Sequence, residues 1–180
     1  NRISKDSLGV LLSKAAETVR KSEIGKRTRE FIRNDQLQPS DKFKPIKCFD
    51  VNMNKFDWNS VKGKKFTIIV GGLWCMTHGM GNSLPKQYFE SIKENYGDSH
   101  QLILYVYCND SEEMKAEIKE FGLEDYTVIS DFKGRATPFT SIYNCQATPT
   151  CIYIDAKGII VNIMKGLDPN YLENEFILKQ

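Results

Sequence analysis

Apolar residues recur at helical spacing near the start of the chain, at Leu8, Leu11, Leu12, Ala15 and Val19, and again beyond Lys21 at Ile24, Thr28, Phe31 and Ile32. The first third therefore begins as helices. The polar span 34–45, with Pro39 and Pro45, reads as a linker. Lys47 to Val51 and Lys55 to Trp58 read as a short hairpin, after which Lys62, Gly63 and Lys64 turn the chain into an apolar run, Phe66 to Val70, the first core strand.

Further along, Leu84, Tyr88, Phe89, Ile92 and Tyr96 share one helix face, with Asn82 or Ser83 as cap and Pro85 in the first turn. Gln101 to Tyr107 reads as a buried strand, and His100 as a surface residue before it. Asp110 with Glu113 resembles a capping box, Met114, Ile118 and Phe121 share a face, and Gly122 ends that helix, completing one βαβ unit. A short run at Thr127 to Ser130, a helix from Thr137 to Tyr143, and strands at Thr150 to Ile154 and Ile159 to Met164 complete a mixed sheet. Asp168 and Pro169 open a last helix whose apolar face is Leu172 and Phe176.

The 180 residues suit one domain with an appendage, long enough to bury a core without metal or disulfide staples. A net charge of +2 argues against nucleic acid or an anionic membrane surface as partner. Arg20, Lys21, Lys26, Arg27, Arg29 and Arg33 alternate with Glu17, Glu23 and Glu30, the pattern of a solvated helix face. No run approaches the roughly 18 apolar residues of a membrane helix, so no integral membrane segment is expected. The sequence starts at Asn1, so any signal peptide would already be absent. Five cysteines, Cys48, Cys75, Cys108, Cys145 and Cys151, have no regular spacing, which argues against a small disulfide scaffold.

Trp74 and Cys75 follow the first core strand directly, and Thr148 and Pro149 open another strand. A cysteine leaving a buried strand keeps its sulfur accessible on a rigid frame, and a proline before a strand can hold a cis bond beside it. Where a redox Cys-x-x-Cys pair would place its second thiol, this chain has His78. The ordered set Lys62-Gly63-Lys64, Trp74-Cys75, Tyr143, Ala147 to Thr150 and the Asp155 to Gly158 turn between two strands resembles the thioredoxin-like superfamily. Within it the set resembles TlpA-like thiol-disulfide oxidoreductases, grouped with the AhpC/TSA proteins, here with an atypical Cys-x-x-His motif.

The resemblance implies an α/β thioredoxin-like fold, a central mixed sheet flanked by helices, with an N-terminal helical extension. Residues 1–41 would be extension and linker, and 42–180 the thioredoxin-like domain. It implies Cys75 as catalytic nucleophile, His78 as its hydrogen-bonding or charged companion, and Trp74, Thr148 and Pro149 as substrate-binding residues, Pro149 in a cis peptide. It places the protein outside the cytoplasm, in a bacterial periplasm or cell envelope, acting on protein or small-molecule disulfides without a cofactor.

A thiol attacks disulfides only as thiolate, so Cys75 needs its anion stabilised. Because His78 cannot resolve a mixed disulfide, an external thiol donor must, or an internal thiol, for which Cys108 at the end of the second core strand is the candidate; its alternative is a buried small hydrophobe. Cys145 and Cys151 read as core, on sheet faces that periodicity does not assign. Two other readings stay open: a redox-inactive interaction domain on the same scaffold, and a Cu(I)-binding module using Cys75, Met76, His78 and Met80, four soft or borderline donors within six residues.

Overall fold

The structure, a computed structural model, describes residues 3–71, 84–97, 99–168 and 170–177. Five strands form one sheet in the order β3-β2-β1-β4-β5: β1 (Lys65–Val70), β2 (His100–Tyr105), β3 (Thr127–Ile129), β4 (Thr150–Ile154) and β5 (Ile160–Lys165). β1, β2 and β3 run parallel, while β4 pairs antiparallel with both β1 and β5. The sheet is therefore mixed, as the sequence pattern predicts. The parallel crossover from β1 to β2 contains α4 (Leu84–Tyr96), and that from β2 to β3 contains α5 (Ser111–Phe121).

Alternation along the strands divides the core in two. Ile69, Leu104, Val106, Val128, Cys151 and Tyr153 face Phe89, Ile92, Met114, Ile118 and the C-terminal π-helix Tyr171–Ile177. Phe66, Ile68, Val70, Ile103, Tyr105, Ile152 and Ile154 face the other way, toward Phe139, Ile142 and Tyr143. Phe139 and Ile142 belong to the short helix α6 (Pro138–Ile142). Cys151 and Cys145 thus serve opposite cores.

Local signals place the second crossover. The Asp110 carboxylate accepts from the Glu112 and Glu113 amides, and Gly122 ends α5 in the left-handed conformation at φ 61°. Glu113 reaches back to the Asn109 amide at 2.8 Å, one residue before the cap.

Three helices precede this body: α1 (Lys5–Lys14), α2 (Glu17–Lys21) and α3 (Glu23–Arg33). Their apolar residues are poorly covered, with Val10, Leu11, Val19 and Ile24 all exposed. Residues 37–43, within the span read as linker, are tied down by backbone bonds: Leu37 N–H donates to Ile142 O, Ser40 N–H to Ile160 O and Phe43 N–H to Gly158 O, each at 2.8 Å. Phe43 then enters an aromatic cluster with Trp58, Phe66 and Tyr143. The Tyr143 hydroxyl donates to Lys44 O at 2.6 Å and accepts from Lys44 N–H at 2.9 Å.

Two readings need correction. The expected hairpin shrinks to a single bridge, Phe49 with Lys55, because the Asp50 carboxylate captures the Asn52 and Asn54 amides and Phe49 pairs with Ser130. Trp58 opens a 3-10 turn, Trp58–Val61, instead of ending a strand. His100 is not a surface residue: it is the first residue of β2, 2% exposed, at 3.3 Å from the Thr67 hydroxyl and edge-on to Phe176.

Burial, reinforced by the Lys65 charge, lowers the His100 pKa to about 3. An unfolded histidine titrates near 6.5, so between those values the unfolded chain binds a proton that the folded chain refuses. Stability is then full above about pH 6.5 and falls on acidification, by up to about 1.4 kcal/mol per pH unit from this group. Urea unfolding at pH 7 and pH 5 checks this: His100→Asn should lose less stability between the two than the parent, and equal losses would refute a buried neutral imidazole.

Candidate active site

The parallel strands end together, with Val70 beside Tyr105 and Tyr105 beside Ile129. Chemistry in open α/β sheets gathers at the C-terminal ends of such strands. β1 leaves through Gly71, whose N–H still donates to Tyr105 O at 3.0 Å. Gly71 has φ 157° and lies against the loop preceding β4: a Cβ there would fall 2.4 Å from Thr148 Cγ2 and 3.3 Å from Pro149 Cα. Only glycine lets the two chains approach this closely.

The Thr148–Pro149 peptide is cis. Pro149 O accepts from Gly166 N–H at 2.8 Å, and the Thr150 hydroxyl donates to Ala147 O at 2.7 Å. The bend is thus anchored on both sides. Thr148 itself is half-buried, and its backbone N–H and C=O have no hydrogen-bond partner among the described residues.

Trp74, Cys75, Met76, His78 and Met80 all lie outside the described residues. So does the expected cap at Asn82 or Ser83. Among the described residues no cluster of three or more His, Cys, Asp or Glu could hold a metal ion, and no helix is long and apolar enough to cross a membrane. His100 stands at the opposite end of β2 from Tyr105, which pairs with Val70 at the exit of β1.

The four described cysteines are buried and unpaired. Cys108 follows β2 in a fully buried position, and burial is the main force pushing its thiol up to about 11; Glu113, Glu117 and Asp110 add to it, while a hydrogen bond from Ser130 opposes it. Burial likewise pushes Cys151 up to about 12 and raises Cys48 and Cys145. Thiols held in this state are inert. For Cys108 the surroundings match those of a small hydrophobe packed against Val106 and Met114 in one core.

Sequence reading missed a polar group at the same end of the sheet. The Tyr105 hydroxyl donates to the buried Asp131 carboxylate, whose Oδ1 also accepts from Lys133 N–H at 3.2 Å. Burial raises the Asp131 pKa despite these bonds. It also missed Tyr107, whose hydroxyl donates to Cys145 O at 3.4 Å and whose ring carries Arg135 at 5.6 Å. Apart from the Lys133 amide, these partners lie far apart in sequence, so no local pattern announces the contacts.

No protein-family model and no curated protein sequence matches the chain. Solved structures do. A thiol-disulfide oxidoreductase from Bacteroides fragilis superposes with a TM-score of 0.62 at 16% identity, covering 78% of this chain and 100% of that one. A domain of a possible thiol-disulfide isomerase from Cytophaga hutchinsonii gives 0.62 at 19% identity, covering 79% and 92%. An exposed lipoprotein thioredoxin from Streptococcus pneumoniae gives 0.58 at 20% identity, covering 73% and 96%. The fold is thioredoxin-like. At these identities the likeness speaks to architecture, and chemistry has to be argued from this chain's own residues.

Two outcomes follow from the site. Gly71→Ala should destabilise the protein by about 1–3 kcal/mol, since Thr148 or the backbone must give way; urea unfolding measures it, and a change within error would show that the close approach is dispensable. In the folded protein at neutral pH, Cys48, Cys108, Cys145 and Cys151 should resist an aromatic disulfide reagent and all react once denatured. Mass mapping of the labelled peptides distinguishes them.

Proposed function

We propose that the protein exchanges thiols and disulfides through a single nucleophile, Cys75. The observation that carries this reading is the contact of Gly71 with the Thr148–Pro149 bend, beside which Thr148 keeps two backbone groups unpaired among the described residues. Cys75 follows Gly71 by four residues, a tether of at most about 14 Å. An extended substrate chain hydrogen-bonded to Thr148 would bring its disulfide within that reach.

In the reaction, the Cys75 thiolate attacks one sulfur of the substrate disulfide, forming a mixed disulfide and expelling the other sulfur as a thiolate. A thiolate from an external donor then attacks the substrate sulfur of that mixed disulfide, which restores Cys75 and leaves donor and substrate joined. A second donor thiol releases the substrate fully reduced and carries the oxidising equivalents away as donor disulfide. His78 donates a hydrogen bond or positive charge to the Cys75 anion, Trp74 shields the sulfur, and no cofactor is required. Cys108 could replace the external donor only after local opening, because its thiol is buried. Residues 42–180 carry the exchange and 1–41 form the appendage. The assignment is extracytoplasmic, where disulfides persist, and the pneumococcal neighbour is itself described as exposed.

One alternative is favoured by a specific observation. With every described thiol buried, no described cysteine is exposed as a resolving partner, which equally suits an interaction domain that performs no exchange. Alkylation separates the two. Rapid iodoacetamide labelling at neutral pH that disappears in Cys75→Ser, together with reduction of a small disulfide by a thiol donor, is expected; labelling only above about pH 8.5, the range of an ordinary thiol, would leave the interaction domain.

A further inference from the structure

The three N-terminal helices do more than cap one side of the body. Leu8, Ile24 and Phe31 form the apolar wall of a groove of about 230 Å³, whose other wall is Thr140, Ser141 and Gln146. That size suits one side chain more than a small-molecule ligand. Ile24 is 71% exposed at its edge. Arg27 spans the groove, donating from Nη2 to Gln146 Oε1 at 3.2 Å, while Gln146 Nε2 donates to Thr140 O at 3.1 Å. Gln146, which lines the groove, stands two residues before Thr148 in the same loop as the bend.

A second arginine reaches the same loop. Arg135, in the 3-10 turn Gly134–Ala136, lies over the Tyr107 ring, and the Tyr107 hydroxyl donates to Cys145 O. The Tyr107 hydroxyl feels both guanidinium charges, Arg135 and Arg27. Neither arginine has a carboxylate within salt-bridge distance among the described residues, and Arg27 alone of the cations on α3 is hydrogen-bonded to the loop before β4. The nearby acid Asp131 is buried and held by Tyr105. The segment 72–83 contains no Asp or Glu. Arg27 therefore lines the apolar groove with unspent donors, and Arg135 is joined to its wall through Thr140, whose hydroxyl donates to Arg135 O at 3.3 Å.

We propose that this is a substrate subsite: the groove takes an apolar side chain, and Arg27 and Arg135 take a carboxylate, of an extended acidic peptide segment flanking the cysteine presented at Thr148. The inference rests on the exchange reading for its setting, and it names the substrate class of that site. The helical extension thereby becomes part of the recognition surface.

Binding can be read apart from chemistry. Two fluorescent peptides, identical except that Glu-Leu or Lys-Leu follows a Ser in place of cysteine, are titrated with the full chain by anisotropy. The parent protein should prefer the acidic peptide by about tenfold, with the preference shrinking as salt rises. Arg27→Gln with Arg135→Gln should erase that preference, and Arg27→Glu with Arg135→Glu should invert it, a gain that only a folded protein can show. Affinities within threefold for both peptides in the parent, or an undiminished preference in the Gln variant, would overturn the proposal. So would salt-sensitive self-association that blocks peptide binding, because a second copy would then be the occupant. Exchange without discrimination removes the subsite alone; discrimination without exchange removes the chemistry and leaves the subsite.

Discussion

β1 lies between a parallel neighbour on one edge and an antiparallel neighbour on the other, with all but its first residue buried. A strand in that position spends its backbone groups within the sheet and its side chains in two cores, so its exit point has little freedom. Gly71 inherits that rigidity, and so does the bend it touches. The elements outside β1 serve this arrangement: α4 and α5 cover one face, while α6 and the aromatic cluster around Phe43, Trp58 and Tyr143 cover the other.

Much of this was legible because it was encoded locally. The runs at Phe66 to Val70 and Thr150 to Ile154 are apolar and short, Asp110 and Gly122 bracket a helix, and Asp155 to Gly158 forms the turn that joins β4 to β5, with Asp155 Oδ1 accepting from the Lys157 and Ile159 amides. What stayed hidden depends on residues distant in sequence. His100 becomes core only because Thr67 and Phe176 close over it. Lys55 to Trp58 alternates like a strand, but a single aspartate curls the preceding residues before a ladder can form.

The candidate site was proposed in a different way. Residue chemistry singled out Cys75 and Pro149, and of the residues it named the described structure holds Thr148, Pro149 and Cys108. Sheet parity, invisible to periodicity in an all-buried strand, sends Cys151 to one core and Ile152 to the other. The pairing of Arg27 with Gln146 spans 119 positions. No window along the chain contains both partners, and the interleaved charges of α3 conceal which of its cations reaches the loop before β4.

The bend has a consequence for how any guest would be read. With Pro149 O engaged by Gly166, the main-chain groups of Thr148 are left without a partner among the described residues. Two such bonds contribute about 1 kcal/mol each, too little to retain a passing polypeptide on their own. Such bonds would align a bound chain without choosing it, so discrimination between one guest and another would have to be written in the side chains that border the bend.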